Sequence, residues 1–297
     1  MMSKARIKKR GKRAKPKRAS SVKMSPSAAV TVATSARKPV KERIAAMVNV
    51  APAVCENDNK FQALLKVLRN TNEPIRVRLA ALQALQAASF AVVQFESRRA
   101  DYLATLRAVA TDADPELRQR VLGLLAREKD GFAQQRLLEG LQQPENALVP
   151  PEKALQLLSY DVHAEAYPVA RMIVNNPPNE EAKREALRLL AADSSSKPLF
   201  ERILNDKEET REIRQLSASA LQAIAPEAMQ THARELLLDP KEYDDIQATS
   251  LNALTQFGST AKVQQDKELL RRVNSLRKAG SNKLKQGARH FLTKYGS

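Results

Sequence analysis

The chain has 297 residues, with 50 Lys and Arg against 33 Asp and Glu, three His, one Cys, no Trp and 43% hydrophobic side chains. This is enough apolar material for one large domain or two ordinary ones. The lone Cys55 excludes an internal disulfide framework, and no run approaches the roughly eighteen apolar residues of a membrane span. Eight Gly, five Tyr and seven Phe are few for this length, whereas Ala, Leu, Gln, Glu, Arg and Lys, all good helix formers, dominate. The composition predicts an all-α protein. The net charge of +17 belongs to the two ends: residues 1–43 carry 15 Lys and Arg against Glu42 alone, 44–259 carry 25 against 30, and 260–297 carry 10 against 2.

The first segment, residues 1–50, is expected to be a disordered basic tail, because it lacks aromatics, has almost no large apolar residue before Val40, and is broken by Gly11, Pro16, Pro26 and Pro39. The stretch "AAVTVA" is too short for a secretory signal, and the clustered lysines lack the amphipathic spacing of a transit peptide. Two readings stay open: a solubilising tail, or an electrostatic tether and import signal. In the second, Lys8, Lys9, Arg10, Lys12, Arg13, Lys15, Lys17 and Arg18 would engage nucleic acid. The expected compartment is intracellular: cytoplasmic, or nuclear or nucleoid-associated if the tail is a targeting or nucleic-acid-binding segment.

Residues 51–297 are expected to form one repeat domain. The pattern apolar, basic, x, x, small, apolar, x, x, Leu fits Val77-Arg78…Ala81-Leu82…Leu85 and Leu117-Arg118…Val121-Leu122…Leu125. Weaker copies start at Pro150, Ala182, Ile213, Ile246 and Leu284, at successive intervals of 40, 33, 32, 31, 33 and 38 residues. Each copy follows a second helical segment: "KFQALLKVLRN", "ADYLATLRAVATD", "AQQRLLEGLQQ", "AYPVARMIVNN", "PLFERILND", "AMQTHARELLLD" and "DKELLRRVNSLRK". The turns between them, such as "NTNEP", "TDADP" and "NDKEE", carry the Asn, Asp and Pro of helix caps. One helix pair cannot bury its own apolar stripe, so the phrase recurs to let neighbours cover each other. The departures Pro151 and Gln247 mark candidate bends, Pro168 should begin or kink its helix, and "AASFAVVQFESRR" lengthens the first connection as an extended helix or a local cap.

The repeat length, the Asp-rich turn and the Val-Arg-x-x-Ala-Leu-x-x-Leu helix resemble HEAT-like repeats of the phycobilisome-lyase type, over roughly residues 59–294. The resemblance implies a right-handed α-α superhelix, an armadillo-like solenoid, of about seven helix pairs. It also implies that Arg78, Arg118, Lys183, Arg214 and Lys285 reach turn carboxylates such as Asp112, Asp206 and Asp239 along the stack. The motifs are specific for fold and unspecific for function. Relatives act as bilin lyases, and similar superhelices remove alkylated DNA bases, but neither has a motif that maps onto this chain.

No HExxH, CxxC, GxSxG, GxGxxG or GxxxxGK[ST] occurs, and His163, His232 and His290 are far apart, so no catalytic, metal or cofactor site is expected. Cys55 reads as a packing residue. The concave face implied by the resemblance is lined by pattern positions three and seven, where Arg184 and Arg188 offer two guanidinium forks for a carboxylate or phosphate. The C-terminal repeat presents Arg271, Arg272, Arg277, Lys278, Lys283, Lys285 and Arg289, a hydrophilic cap or a phosphate-binding surface. The expected function is a non-enzymatic scaffold with a protein partner. The alternative is sequence-nonspecific DNA or RNA backbone binding through the tail and the C-terminal repeat, and a lyase or glycosylase ranks below both.

Overall fold

The computed structural model describes residues 24–161 and 165–296, and among these every regular element is a helix. The chain divides into two compact units, one ending at Arg99 and the other beginning at Ala100.

The first unit holds α1 (Pro26–Thr34), α2 (Val40–Met47), α3 (Ala51–Glu56), α4 (Asp58–Arg69), α5 (Ile75–Ser89) and α6 (Val92–Phe95). Helices α4 and α5 are the first expected pair. Asn57 caps α4 by accepting the Lys60 N–H, and the pair buries Phe61, Leu64, Leu65, Leu68, Val77, Leu82 and Leu85. The "AASFAVVQFESRR" stretch forms a local cap rather than a longer helix. Phe95 is buried edge-on against Phe61, with ring centroids 5.8 Å apart, while Phe90, Val92 and Val93 stay exposed. Cys55 is half-buried on α3 with its thiol donating to the Ala88 carbonyl, and burial pushes its pKa up, in keeping with a packing role.

The disordered tail expected over residues 1–50 needs correcting in its second half. Ser25 caps α1 by accepting the Ala28 N–H, Pro26 occupies the first turn, and Ala29, Val30 and Ala33 are buried against α2, α3 and α4. On α2, Arg43 is 2% exposed, donates from Nε to the Ala33 carbonyl at 3.0 Å, and forks onto both oxygens of Glu73 at 2.6 and 2.9 Å. Helix α2 packs on α5 and α1 on α4, as neighbouring repeats do. An extra repeat therefore precedes the expected seven. Its small Ala and Val stripe looked too poor to fold, yet it suffices because α4 and α5 supply the larger half of the core. Residues 1–23, with the eight candidate tail cations, lie outside the described residues.

The second unit completes α7 (Arg99–Val109) and continues with α8 (Pro115–Arg127), α9 (Gly131–Gln142), α10 (Pro151–Leu158), α11 (Ala166–Asn175) and α12 (Glu180–Leu190). It goes on with α13 (Lys197–Asn205), α14 (Arg211–Ile224), α15 (Pro226–Leu238), α16 (Asp244–Phe257), α17 (Thr260–Gln265), α18 (Lys267–Ala279) and α19 (Asn282–Tyr295). The expected pairs are α7/α8, α9/α10, α11/α12, α13/α14, α15/α16 and α18/α19. Each second helix packs on the next, α8 on α10, α10 on α12, α12 on α14, α14 on α16 and α16 on α19, which is the packing of a HEAT-like repeat stack. Pro168 falls in the first turn of α11, where its missing N–H costs nothing. Just past α8, Lys129 takes the left-handed region, φ 56°, with the Asp130 N–H closing back on the Leu125 carbonyl.

Arg43, Arg78 and Arg214 share one job, and for Lys183 and Arg214 the carboxylate partner differs from expectation. Arg78 and Arg214, each buried, donate from Nε to the carbonyl ten residues earlier, Leu68 and Leu204, both at 2.9 Å, as Arg43 does to Ala33. This ties the second helix to the end of the first. Arg214 then forks onto Glu242 of the next turn at 2.8 and 2.6 Å, and Lys183 takes Glu209. Asp206 and Asp239 are not their partners. These aspartates fold back to accept the N–H two residues on, from Glu208 and Lys241, so the glutamate three positions after each faces the neighbouring repeat. Asp112 does the same for Asp114. Asp239 also takes Lys207, at 2.8 Å. At Gln247 the tie changes form: Gln247 donates to the Asp239 carbonyl, and Arg272 of the following repeat takes the Leu237 carbonyl at 2.8 Å.

Three predictions follow from these ties. Glu242→Ala leaves the guanidinium of Arg214 buried without its carboxylate and should lower unfolding free energy by about 3–5 kcal/mol in urea titration. Burial raises the Glu242 carboxyl, but hydrogen bonds from Arg214 and Lys207 outweigh that and hold it below its ordinary 4.5; Lys207 likewise lowers Asp239. A depressed carboxylate pKa contributes stability that is present above the unfolded value and lost as pH falls through the folded one. The thermal midpoint should therefore hold above about pH 5 and drop progressively below it, with a shallower acid limb in Glu242→Gln. Arg43→Ala should raise amide exchange across residues 26–47 by about tenfold or more while leaving α14 protected, since only the N-terminal repeat loses its tie.

Candidate functional site

A second series of ion pairs runs between first helices. Arg107 of α7 forks onto Asp130, Arg171 of α11 pairs with Asp193, and Arg234 of α15 takes Asp266 at 2.6 Å. Each of these aspartates accepts a backbone N–H at the start of the next repeat, from Ala133, Ser195 and Leu269. One carboxylate thus caps a helix and ties it to its neighbour. The Arg234 guanidinium holds the Asp266 carboxyl below the usual range. Burial pushes the Asp193 carboxyl up, and hydrogen bonds from Ser196 and Ser195 more than reverse it. The signal was present in the sequence as an arginine in a first helix and a capping aspartate ahead of the next one, but the two are 22 to 32 residues apart.

These ties sort the sequence candidates. Arg184 is engaged on both sides, by Glu212 of the next repeat at 2.7 Å and by Glu181, and Arg188 pairs with Glu185. Arg184 is thus held on both sides within the chain, whereas Arg188 stays about half exposed with one nitrogen engaged. Arg272 serves the Leu237 carbonyl. The remaining C-terminal cations are different. Arg234 takes both Asp266 and Glu268, the only acids between residues 260 and 297, at 2.6 and 2.7 Å. Lys267, Arg271 and Lys278 fall on one stripe of α18, exposed, and Lys285 and Arg289 stand one turn apart on α19; no carboxylate pairs with any of them among the described residues. Arg277 and Lys283 are also exposed, the latter bordering a polar cleft with Asp244 and Asp245. His163 lies outside the described residues, and His232 sits beside Glu201 at 3.5 Å.

The third repeat departs from the others. Between α9 and α10 the chain runs through a 3-10 turn at Pro144–Asn146 and on to the paired Pro150 and Pro151, and α10 is only 8 residues long. A groove of about 1050 Å³ opens there, lined by Leu141, Leu148, Val169, Met172 and Ile173 with Arg118 at one side. Among the described residues no cluster of three or more His, Cys, Asp or Glu could hold a metal ion, and no single helix is long and apolar enough to cross a membrane.

No family model and no curated protein matches the chain. Similar solved structures include an engineered protein, at 16% identity over 92% of this chain and 89% of that one, TM-score 0.47. The complex of CpcE and CpcF of phycocyanin lyase from Nostoc sp. is similar at 17% identity over 91% of this chain and 98% of that one, TM-score 0.40. Human deoxyhypusine hydroxylase is similar at 14% identity over 83% and 99%, TM-score 0.35. None of these likenesses is close enough to carry an argument about activity, and the repeat architecture stands on the helix packing of the chain itself.

Proposed function

We propose that the protein is a non-catalytic interaction scaffold that holds an acidic macromolecule against its C-terminal repeat. The supporting observation is the asymmetry of charge there: Arg234 of the preceding repeat draws both acids of the segment away, leaving the stripe Lys267, Arg271 and Lys278 and the pair Lys285 and Arg289 unneutralised. Such a surface attracts polyanions over about a Debye length, near 10 Å at moderate salt. The cations of the N-terminal segment, from Lys8 to Arg18, belong to the same proposal as a second source of attraction.

A nucleic-acid backbone is the second reading, favoured by exposed Lys and Arg side chains with no exposed aromatic among them to stack on bases. Random duplex DNA, single-stranded RNA and poly-L-glutamate, titrated across a salt gradient, separate the two. A phosphate-driven complex should weaken steeply with salt, and Arg271→Glu with Lys278→Glu and Arg289→Glu should reduce the salt slope by about one per lost contact. Equal affinity for poly-L-glutamate and DNA, both reduced in the triple variant, supports a general acidic partner. Unchanged binding of every probe by the triple variant removes this repeat from the binding surface.

A further inference from the structure

The ladder arginines have two kinds of partner, a carbonyl within the repeat and a carboxylate on the next turn. Arg43 has Glu73, Lys183 has Glu209 and Arg214 has Glu242. Arg118 has a carbonyl within its repeat but no carboxylate on the next turn. Its Nε donates to the Leu148 carbonyl at 2.5 Å and its Nη1 to the Asp112 carbonyl at 2.7 Å, so both partners are backbone oxygens, and among the described residues no carboxylate pairs with it. The reason lies in the third repeat, where the Gln143–Pro150 connection replaces the Asp-x-x-Glu turn. Its prolines and Ala147 leave space instead of a side chain.

That space is the groove of about 1050 Å³. Its lining is apolar apart from Arg118, Gln119, Asn175 and Asn176, and no acidic residue borders it. Met172, in the last turn of α11, is 65% exposed and lies along it, a flexible and polarizable side chain in a position where a solvated helix face would carry a polar one. Gly140 keeps the wall close: a Cβ there would come within 2.9 Å of the Ala147 backbone. A mostly apolar cleft with one uncompensated guanidinium is complementary to a molecule with an apolar body and a single anionic head.

We propose that this groove binds an amphipathic carboxylate, its chain against Leu141, Val169 and Met172 and its head on Arg118, in the role that Glu145, exposed on the third turn, does not fill. The site is separate from the basic C-terminal repeat, so the two can fail independently.

The test is displacement of the fluorescent probe 1-anilinonaphthalene-8-sulfonate from the full chain by decanoate, decanol and decyltrimethylammonium. Decanoate should displace it at about tenfold lower concentration than decanol, with the cation weakest. Arg118→Gln should erase the gap between decanoate and decanol, and Arg118→Lys should restore part of it. Because Arg118 also anchors Leu148, Met172→Glu provides a variant that leaves the anchor intact; it should raise the decanoate concentration needed by about tenfold with unchanged circular dichroism. The proposal is overturned by equal displacement by decanoate and decanol, by a preference that survives Arg118→Gln, or by an effect of Met172→Glu on neither ligand. Displacement by an apolar hexapeptide but by none of the three amphiphiles would also overturn it and assign the groove to peptide.

Discussion

A buried guanidinium is costly unless oxygens take most of its N–H groups, and the helix pairs of this protein are arranged around that demand. Arg43, Arg78 and Arg214 reach back ten residues to the last carbonyls of the preceding helix, which would otherwise lack partners at the helix end. In doing so each sets the angle at which its hairpin closes. The remaining fork of Arg43 and of Arg214 points outward from its own repeat and takes a glutamate from the next turn, so the group that closes a hairpin also sets the spacing to its neighbour. Apolar burial supplies the drive for stacking, but it is nondirectional. The arginines supply the register.

The same demand explains where the surface becomes chemically active. Where the glutamate of the following turn, Glu145, stays exposed on a longer loop, Arg118 makes do with carbonyls, and that loop leaves a groove beside its charge. On α18 and α19, Lys267, Arg271, Lys278 and Arg289 face solvent with no carboxylate partner among the described residues. The acids of the last repeat are meanwhile held by Arg234 from behind. Both features are interruptions of one pattern rather than additions to it. At Gln247 the pattern is interrupted as well, but Arg272 takes over the Leu237 carbonyl, so no comparable exposure arises.

What could be read along the chain was whatever depends on near neighbours. Helix periodicity, capping by Asn57, Asp114, Asn179 and Ser281, and the recurrence of hairpins every thirty to forty residues are local or nearly so, and all seven expected pairs are present. The N-terminal repeat escaped because its helices bury mainly alanine and valine, and small stripes are worth little until a larger neighbour completes the core. In retrospect Arg43, Ala46, Met47 and Val50 follow the pattern with Glu42 in place of its leading apolar residue.

The sequence by itself determined that the protein is a succession of amphipathic helix pairs, because 3.6-residue periodicity and cap chemistry are written within a dozen residues of each other. Only the tertiary structure decided which charges are spent and which remain. Arg184 and Arg234 look alike along the chain, as do Glu209 and Glu185, and their partners are chosen by which repeat lies across the interface. Net charge by segment pointed to the basic end, but the groove beside Arg118 depends on a turn glutamate, Glu145, that faces solvent instead of Arg118, and which way a side chain faces across a repeat has no local signature.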